Sequence, residues 1–319
     1  MYLRGRNDFL NMVQTLTNHA PNSSTGLVLE GGGMRGLFTA GVIDVFLENG
    51  ITFPNAVGVS AGACFGVNLK TEQIGRALRY NIQMAGNPHY MSLRSLLLTG
   101  DYVNAEFCYH TIPTQIDVVD TKTFLRNPMR FHVVCTDIDT GEAVYHELTD
   151  LDYDNLEWIR ASASLPIVSR PVLRDGRRLM DGGMADSIPL QYSERLGYRR
   201  NVVILTQPFG FRKEPARHPW LFQLFCGRYP AMVNSLTHRA ERYNACLEQI
   251  ERQAANGTVL LIAPPRKLDI GRIEQNPDKL QAIYQLGRQT CLAQLDQIKE
   301  FTLSLRSEAT KSPLKTKKE

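Results

Sequence analysis

The chain has 319 residues, of which 43% are apolar and 21% are charged, so it can bury the core of one large domain or two smaller ones. The net charge is 36 − 32 = +4, and half of it comes from the lysine-rich residues 307–319, which leaves too little elsewhere to predict nucleic-acid binding. The longest apolar runs, such as residues 202–205, are too short for a transmembrane helix.

The predicted elements begin with a short apolar strand at residues 25–30. A glycine-rich loop, Gly31-Gly-Gly-Met-Arg-Gly36, follows it, and apolar residues then recur at spacings of three and four up to Phe46, which predicts a helix. Residues 56–59 predict a second buried strand, and a second helix is predicted from Ala61 onward. This alternation indicates parallel strand pairing, and hence an α/β sheet with helices on both faces.

Helices and strands are also predicted for the rest of the chain. Residues 70–125 are expected to be helical or irregular, and Asp175-Gly176 predicts a type I′ hairpin. The other predicted elements are a strand at 131–136 with a hairpin partner at 143–146, strands at 201–206 and 258–262, helices at 154–164 and 233–253, and one or two helices at 278–304.

The motif with the clearest chemistry is Gly58-Val-Ser-Ala-Gly62, at the junction of a predicted strand and a predicted helix. A serine nucleophile there needs its hydroxyl raised above the sheet, so the chain must turn tightly, and Gly58 and Gly62 remove side chains that would collide in the turn. The N-terminus of the next helix directs N–H groups at the reacting atom. The motif also recurs by chance in loops, but in this context it predicts Ser60 as a nucleophile.

The glycine-rich loop fits two functions. Its Gly-x-Gly-x-x-Gly spacing after a strand is a dinucleotide fingerprint, but such a site needs an acidic residue about twenty positions on. No acidic residue occurs between Glu48 and Glu72. We therefore favour a loop whose N–H groups, at Gly31–Gly33, hold the oxyanion of an acyl-transfer intermediate, with Arg35 steadying the loop or attracting an anionic substrate. A plain packing turn is the remaining alternative.

The nucleophile needs a base. His218 and His238 lie late enough in the chain to complete a Ser-Asp-His triad, but neither is framed by turn residues. Asp181 directly follows a predicted strand and precedes Gly182 and Gly183, so its carboxylate can approach another loop closely. Asp-Gly-Gly is often a simple turn, but beside a nucleophile motif a base is the better interpretation.

The three motifs, in this order and spacing, resemble those of the patatin-like phospholipase family, in its bacterial single-chain form. The segment Ala161-Ser-Ala-Ser-Leu-Pro166 resembles the one that precedes the family's aspartate motif. The resemblance covers residues 25–195 and departs from the common pattern at Glu30, where aspartate is frequent, and at Gly183, where alanine is common.

This resemblance implies a three-layer α/β/α fold and a Ser–Asp dyad with no metal or cofactor. Carried over by motif position, Ser60 is the nucleophile, Asp181 the general base, and the backbone of Gly31, Gly32 and Gly33 the oxyanion hole. The implied activity is phospholipase A-type hydrolysis of phospholipid or lysophospholipid esters, with a lipid substrate and no nucleotide. A short-chain esterase or thioesterase and a catalytically silent lipid-binding protein are the alternatives.

The expected organisation is a catalytic domain at residues 25–196, a C-terminal region of helices and strands at 197–306 packed on the same fold, and a disordered basic tail at 307–319. Residues 220–226 are rich in large apolar side chains and are interpreted as a buried helix, with an interfacial patch or a lid as the alternative. The six scattered cysteines, without a CxxC pair, and an N-terminus unlike a signal peptide favour a cytoplasmic protein, with peripheral membrane contact left open.

Overall fold

One mixed sheet organises the computed structural model, which describes residues 25–303. Its strands are Thr25–Leu29 (β1), Asn55–Val59 (β2), Arg130–Asp137 (β3), Ala143–Leu148 (β4), Val172–Arg174 (β5), Arg177–Asp181 (β6), Arg200–Ile204 (β7) and Val259–Ile262 (β8). Their spatial order is β5-β6-β3-β2-β1-β7-β8, and β4 pairs with β3. Strands β3, β2, β1, β7 and β8 are mutually parallel, whereas β4, β5 and β6 pair antiparallel.

Helices connect most of the strands. They are Leu37–Glu48 (α1), Ala61–Lys70 (α2), Arg76–Gln83 (α3), Leu93–Thr99 (α4), Thr121–Arg126 (α5), Tyr153–Ala163 (α6), Leu190–Arg195 (α7), Trp220–Cys226 (α8), Pro230–Thr237 (α9), Arg239–Ala255 (α10), Pro277–Ala293 (α11) and Leu295–Leu303 (α12). A π-helix spans Phe107–Ile116, and 3-10 turns span Gly33–Gly36 and Gly182–Met184.

Both faces of the parallel strands are covered, which gives three layers. Side chains alternate along a strand, so Leu27 and Leu29 of β1 join the core beneath α1, α2 and α11. Val28 points the other way and joins a second core with Leu247 and Ile250 of α10. Coverage on both faces explains why these strands are continuous apolar segments rather than alternating ones. The three-layer α/β/α fold is therefore confirmed.

Several local predictions are confirmed. The hairpin turn has positive φ at both Asp175 (50°) and Gly176 (72°), as a type I′ turn requires, and β5 pairs with β6 across it. The return strand after residue 142 pairs antiparallel with β3 as predicted. Strands β7 and β8 of the C-terminal region extend the same sheet next to β1.

Two predictions about the C-terminal region are wrong. The single helix expected over residues 233–253 is two helices, α9 and α10, because His238 leaves helical dihedrals (φ −91°, ψ 8°). Helix α8 is not buried: Trp220, Leu224 and Phe225 expose 61%, 66% and 58% of their surface. An apolar composition alone cannot distinguish a core helix from one that places its apolar side chains in solvent.

Two further expectations concern the membrane and the tail. Among residues 25–303, no helix has the length and apolar character needed to cross a bilayer. The expected basic tail, 307–319, lies outside the described residues.

Candidate active site

Ser60 stands on a strained turn between β2 and α2. Its backbone has φ 54° and ψ −119°, a region that L-residues rarely occupy. A side chain at Gly58 would place its Cβ 2.5 Å from the carbonyl oxygen of Gly62, and one at Gly62 would lie 2.5 Å from the carbonyl oxygen of Leu29. The glycines of the motif are therefore required by the close approach of strand and helix, and the turn directs Ser60 into a cavity.

Ser162, in the last turn of α6, holds this turn in place. Its Oγ accepts a hydrogen bond from the backbone N–H of Ser60 at 2.9 Å and donates one to the carbonyl of Val134 at 2.6 Å. The side chain is fully buried, so this bridge is shielded from water. Sequence analysis matched the surrounding segment 161–166 to the family without assigning Ser162 a role.

Asp181 is the last residue of β6 and is buried. Its Oδ1 accepts the N–H of Gly183 at 2.7 Å, and the Ser60 hydroxyl lies close enough to the carboxylate to influence its pKa. Burial raises the pKa of Asp181 above its usual value, although the positive charge of Arg239, the nearby Ser60 hydroxyl and the Gly183 N–H partly oppose the rise. A carboxylate whose proton affinity is raised in this way is a better base than an exposed one.

The structure thus brings Ser60 and Asp181 together and leaves the histidines apart. His218 and His238 are both exposed to solvent and are not among the residues that line the cavity within the described part of the chain. Gly182 and Gly183 form the 3-10 turn directly after Asp181.

The glycine loop forms the side of the cavity next to Ser60. Among residues 25–303, the N–H groups of Gly31, Gly32 and Gly33 donate to no protein acceptor, whereas the next N–H, of Met34, is bound to the carbonyl of Arg272 at 3.0 Å. Gly33 has φ +59°, and a Cβ there would collide with the backbone of Arg272. The loop can therefore present free N–H donors to an oxyanion.

Two charged residues flank this loop. Both carboxylate oxygens of buried Glu30 accept a hydrogen bond at 2.6 Å, one from the N–H of Thr206 and one from the hydroxyl of Tyr243. Glu30 therefore connects the end of β1 to the end of β7 and to α10. Arg35 lines the cavity; burial lowers its pKa, and its Nε has no hydrogen-bond partner among the described residues. Gly36 closes the turn against Ala61 at the start of α2.

The cavity that contains Ser60 has a volume of about 440 Å³ and two chemical characters. Its apolar lining includes Phe65, Tyr80, Tyr90, Met91, Ile112 and Ile159. Its basic lining consists of Arg35, Arg76, Lys213, Arg239 and Arg272, and of these Arg76 is paired with Asp117. Sequence analysis identified only Arg35 among these basic residues, because the other four lie in segments without a motif.

Comparisons with known proteins identify a family for most of the region that contains these residues. The sequence model of the patatin-like phospholipase family matches residues 27–193, and that of a domain of unknown function, DUF6363, matches residues 229–303. The chain is 27% identical over 288 residues to the uncharacterised protein YjjU of Escherichia coli K12, covering 86% of this chain and 80% of that protein.

More distant similarities extend the comparison. The chain is 26% identical over 204 residues to lysophospholipase NTE1 of the yeast Meyerozyma guilliermondii, covering 62% of this chain but only 13% of that protein. Among solved structures, VipD of Legionella pneumophila aligns with a TM-score of 0.45 and 12% identity, over 87% of this chain and 67% of VipD.

Proposed function

Because the chain belongs to the patatin-like phospholipase family, we propose that it is a serine acyl hydrolase that cleaves phospholipid or lysophospholipid esters with Ser60 as nucleophile and Asp181 as base. Family membership supports lipid hydrolase activity, and the matched residues 27–193 contain both side chains. The observation that carries the proposal is the placement of Ser60, on its strained turn, and buried Asp181 in one cavity beside free N–H donors of the glycine loop.

In the first half-reaction the Ser60 hydroxyl attacks the ester carbonyl and its proton passes to Asp181. The carbonyl oxygen becomes an oxyanion, which accepts hydrogen bonds from N–H groups of Gly31–Gly33, each worth about 3–4 kcal/mol at comparable sites. The tetrahedral intermediate then collapses. The alcohol leaves with the proton held by Asp181, and the acyl group stays on Ser60 as an ester.

In the second half-reaction Asp181 takes a proton from water, which attacks the acyl-enzyme carbonyl. The same N–H groups hold the second oxyanion. Collapse releases the fatty acid and returns the proton to the Ser60 oxygen, which restores the starting state. No step requires a metal or a cofactor.

The apolar part of the cavity supports a long acyl chain as the group bound next to Ser60. The volume of the whole cavity, about 440 Å³, lies within the usual range of ligand sites. The yeast relative is named a lysophospholipase, and a single-chain lipid fits the same proposal here. We expect kcat/KM to rise with acyl length in a series of esters. A preference for short acyl chains would instead favour the esterase or thioesterase alternative.

A fluorophosphonate probe tests the nucleophile directly. We expect the wild-type protein to be labelled and Ser60→Ala to be unlabelled and inactive, since loss of a nucleophile costs about a million-fold in kcat. Ser187→Ala is the matched control, because Ser187 lines the same cavity and bonds the carbonyl of Gly183 at 2.7 Å. Labelling that survives Ser60→Ala but is lost in Ser187→Ala would contradict the assignment, and an unlabelled wild type would favour a silent lipid-binding protein.

Helix α8 supports peripheral contact with a lipid surface. Phe222 lines the cavity, while Trp220, Leu224 and Phe225 of the same helix are exposed. The helix is flanked by the basic residues Arg217 and Arg228, which suit anionic headgroups.

Tryptophan fluorescence tests this contact. The chain has two tryptophans, and because Trp158 is buried, a blue shift with phosphatidylglycerol vesicles would report Trp220. We expect Leu224→Ser to weaken vesicle binding and Leu292→Ser, on α11, to leave it unchanged, because Leu292 is also exposed but does not line the cavity. Equal binding by both variants would argue against α8 as the contact.

A further inference from the structure

Four basic side chains line the cavity beside Ser60 without a carboxylate partner of their own. We call them the cationic cluster: Arg35, Lys213, Arg239 and Arg272. Within residues 25–303, none of the four forms a salt bridge with an Asp or Glu side chain. Three of them lie beyond residue 193, outside the segment matched by the patatin model.

The cluster is anchored to both loops next to Ser60. The carbonyl of Arg272 accepts the N–H of Met34, so this residue lies against the glycine loop. The Nε of Arg239 donates to the carbonyl of Gly183, in the turn after the proposed base. The basic groups therefore border the position at which an ester would react.

Lys213 joins the cluster through α10. Its ammonium group lies 3.7 Å from the ring centroid of Tyr243, and the Tyr243 hydroxyl donates a hydrogen bond to Glu30. Burial, followed by the positive charge of Arg239, lowers the pKa of Lys213 to about 7. The ammonium thus lies in a positive field from its neighbours that Glu30 offsets only in part.

The carboxylates of the cavity do not balance this charge. Glu30 and Asp181 are buried there, and each is occupied by the hydrogen bonds described above. The third lining carboxylate, Glu214, is exposed and lies 3.9 Å from Arg217. Apart from Arg76, which is paired with Asp117, three guanidinium groups and the partly protonated Lys213 therefore face two buried carboxylates. The Nε of Arg35 has no hydrogen-bond partner among the described residues. The cavity has a positive surplus and free donors.

We propose that the cationic cluster is an anion subsite that binds the phosphate group of a lipid ester while the ester carbonyl lies at Ser60. This inference rests on the proposed function and specifies its substrate. Guanidinium groups bind phosphate through paired hydrogen bonds, and an ammonium group adds a point charge. A phosphate monoester carries up to two negative charges, and a bound anion favours protonated Lys213, which brings the surplus of the cluster to two cations. The preferred substrate class is thus a lysolipid that ends in a phosphate monoester.

The kinetic test compares two substrates with the same acyl chain, a 1-acylglycerol 3-phosphate and the neutral 1-acylglycerol. We expect the wild-type kcat/KM to be about ten-fold or more higher for the phosphate ester, the size expected from one or more charge-assisted hydrogen bonds. Lys213→Met, which keeps an unbranched side chain over Tyr243 but removes the charge, should lower the ratio of the two kcat/KM values about ten-fold, mainly through KM.

Arg272→Gln provides a second variant in case Lys213→Met does not fold, and it should lower the same ratio. Lys267→Met is the matched control, because Lys267 is exposed and does not line the cavity, and its ratio should equal that of the wild type. A ratio unchanged in folded Lys213→Met or in folded Arg272→Gln would overturn the subsite.

A binding measurement separates the subsite from the proposed function. On the Ser60→Ala background, calorimetry should show that the 1-acylglycerol phosphate binds about ten-fold more tightly than the neutral lipid. Lys213→Met should abolish this difference in affinity. Tighter binding of inorganic phosphate than of the phosphate lipid would overturn the headgroup assignment and assign the cluster to free phosphate. Lys213-dependent phosphate binding in a wild type that cleaves neither ester would support the subsite and contradict the hydrolase.

Discussion

The strained backbone of Ser60 predicts that glycine at this position stabilises the fold relative to alanine. With φ 54° and ψ −119°, any residue with a Cβ pays a conformational cost of about 1–3 kcal/mol at position 60. Glycine avoids this cost but loses about 0.5–1 kcal/mol more backbone entropy on folding. Ser60→Gly should therefore be more stable than Ser60→Ala by about 0.5–2 kcal/mol.

Thermal unfolding of the two variants measures this difference. At about 2.1 cal/mol/K per residue, unfolding 319 residues gives about 1.5 °C per kcal/mol, so Ser60→Gly should melt about 1–3 °C above Ser60→Ala. Both variants lack the hydroxyl, so the comparison is independent of activity.

The control is the same exchange in an ordinary helix. Ala282 is exposed in the interior of α11, where alanine to glycine costs about 1 kcal/mol, so Ala282→Gly should melt below the wild type. If glycine in place of alanine raises the melting temperature at position 60 and lowers it at position 282, the backbone at position 60 is locally strained. If Ser60→Gly melts at or below Ser60→Ala while Ala282→Gly behaves as expected, the strained-turn reasoning is refuted.

Three further predictions concern the chemistry. Asp181→Asn should reduce kcat nearly as much as Ser60→Ala, while His218→Ala and His238→Ala should change it by less than about two-fold because both imidazoles are exposed; a large loss in either histidine variant at unchanged stability would favour a triad. Because burial raises the pKa of Asp181 and the base must be ionised, kcat/KM should fall as pH decreases through a pKa above the usual aspartate range, and an acid limb at or below that range would contradict this assignment. A Cβ at Gly32 would lie 2.6 Å from the Thr206 Oγ1, so Gly32→Ala must displace the loop or the Thr206 side chain and should lower kcat far more than it raises KM. A variant with a normal melting temperature and normal kinetics would contradict an oxyanion role.

The sequence by itself determined the features that depend on local backbone geometry. Gly58 and Gly62 mark the turn at Ser60 because only glycine permits that approach of strand and helix, and no distant residue is needed to recognise it. The hairpin turn at Asp175-Gly176 is equally predictable from the sequence, because the two positive φ angles of a type I′ turn favour these residue types.

The tertiary structure decided which distant groups meet. Ser162 supports Ser60 from 102 positions away, and no spacing rule predicts that its hydroxyl rather than that of Ser164 lies under the turn. Lys213 and Arg239 reach the cavity because β7 and α10 pack beside β1, and such contacts depend on the whole chain. Whether an apolar segment such as α8 is buried depends on what packs against it. Local propensity encodes turns and strands, whereas burial, charge pairing and proton affinity depend on neighbours that only the folded chain supplies.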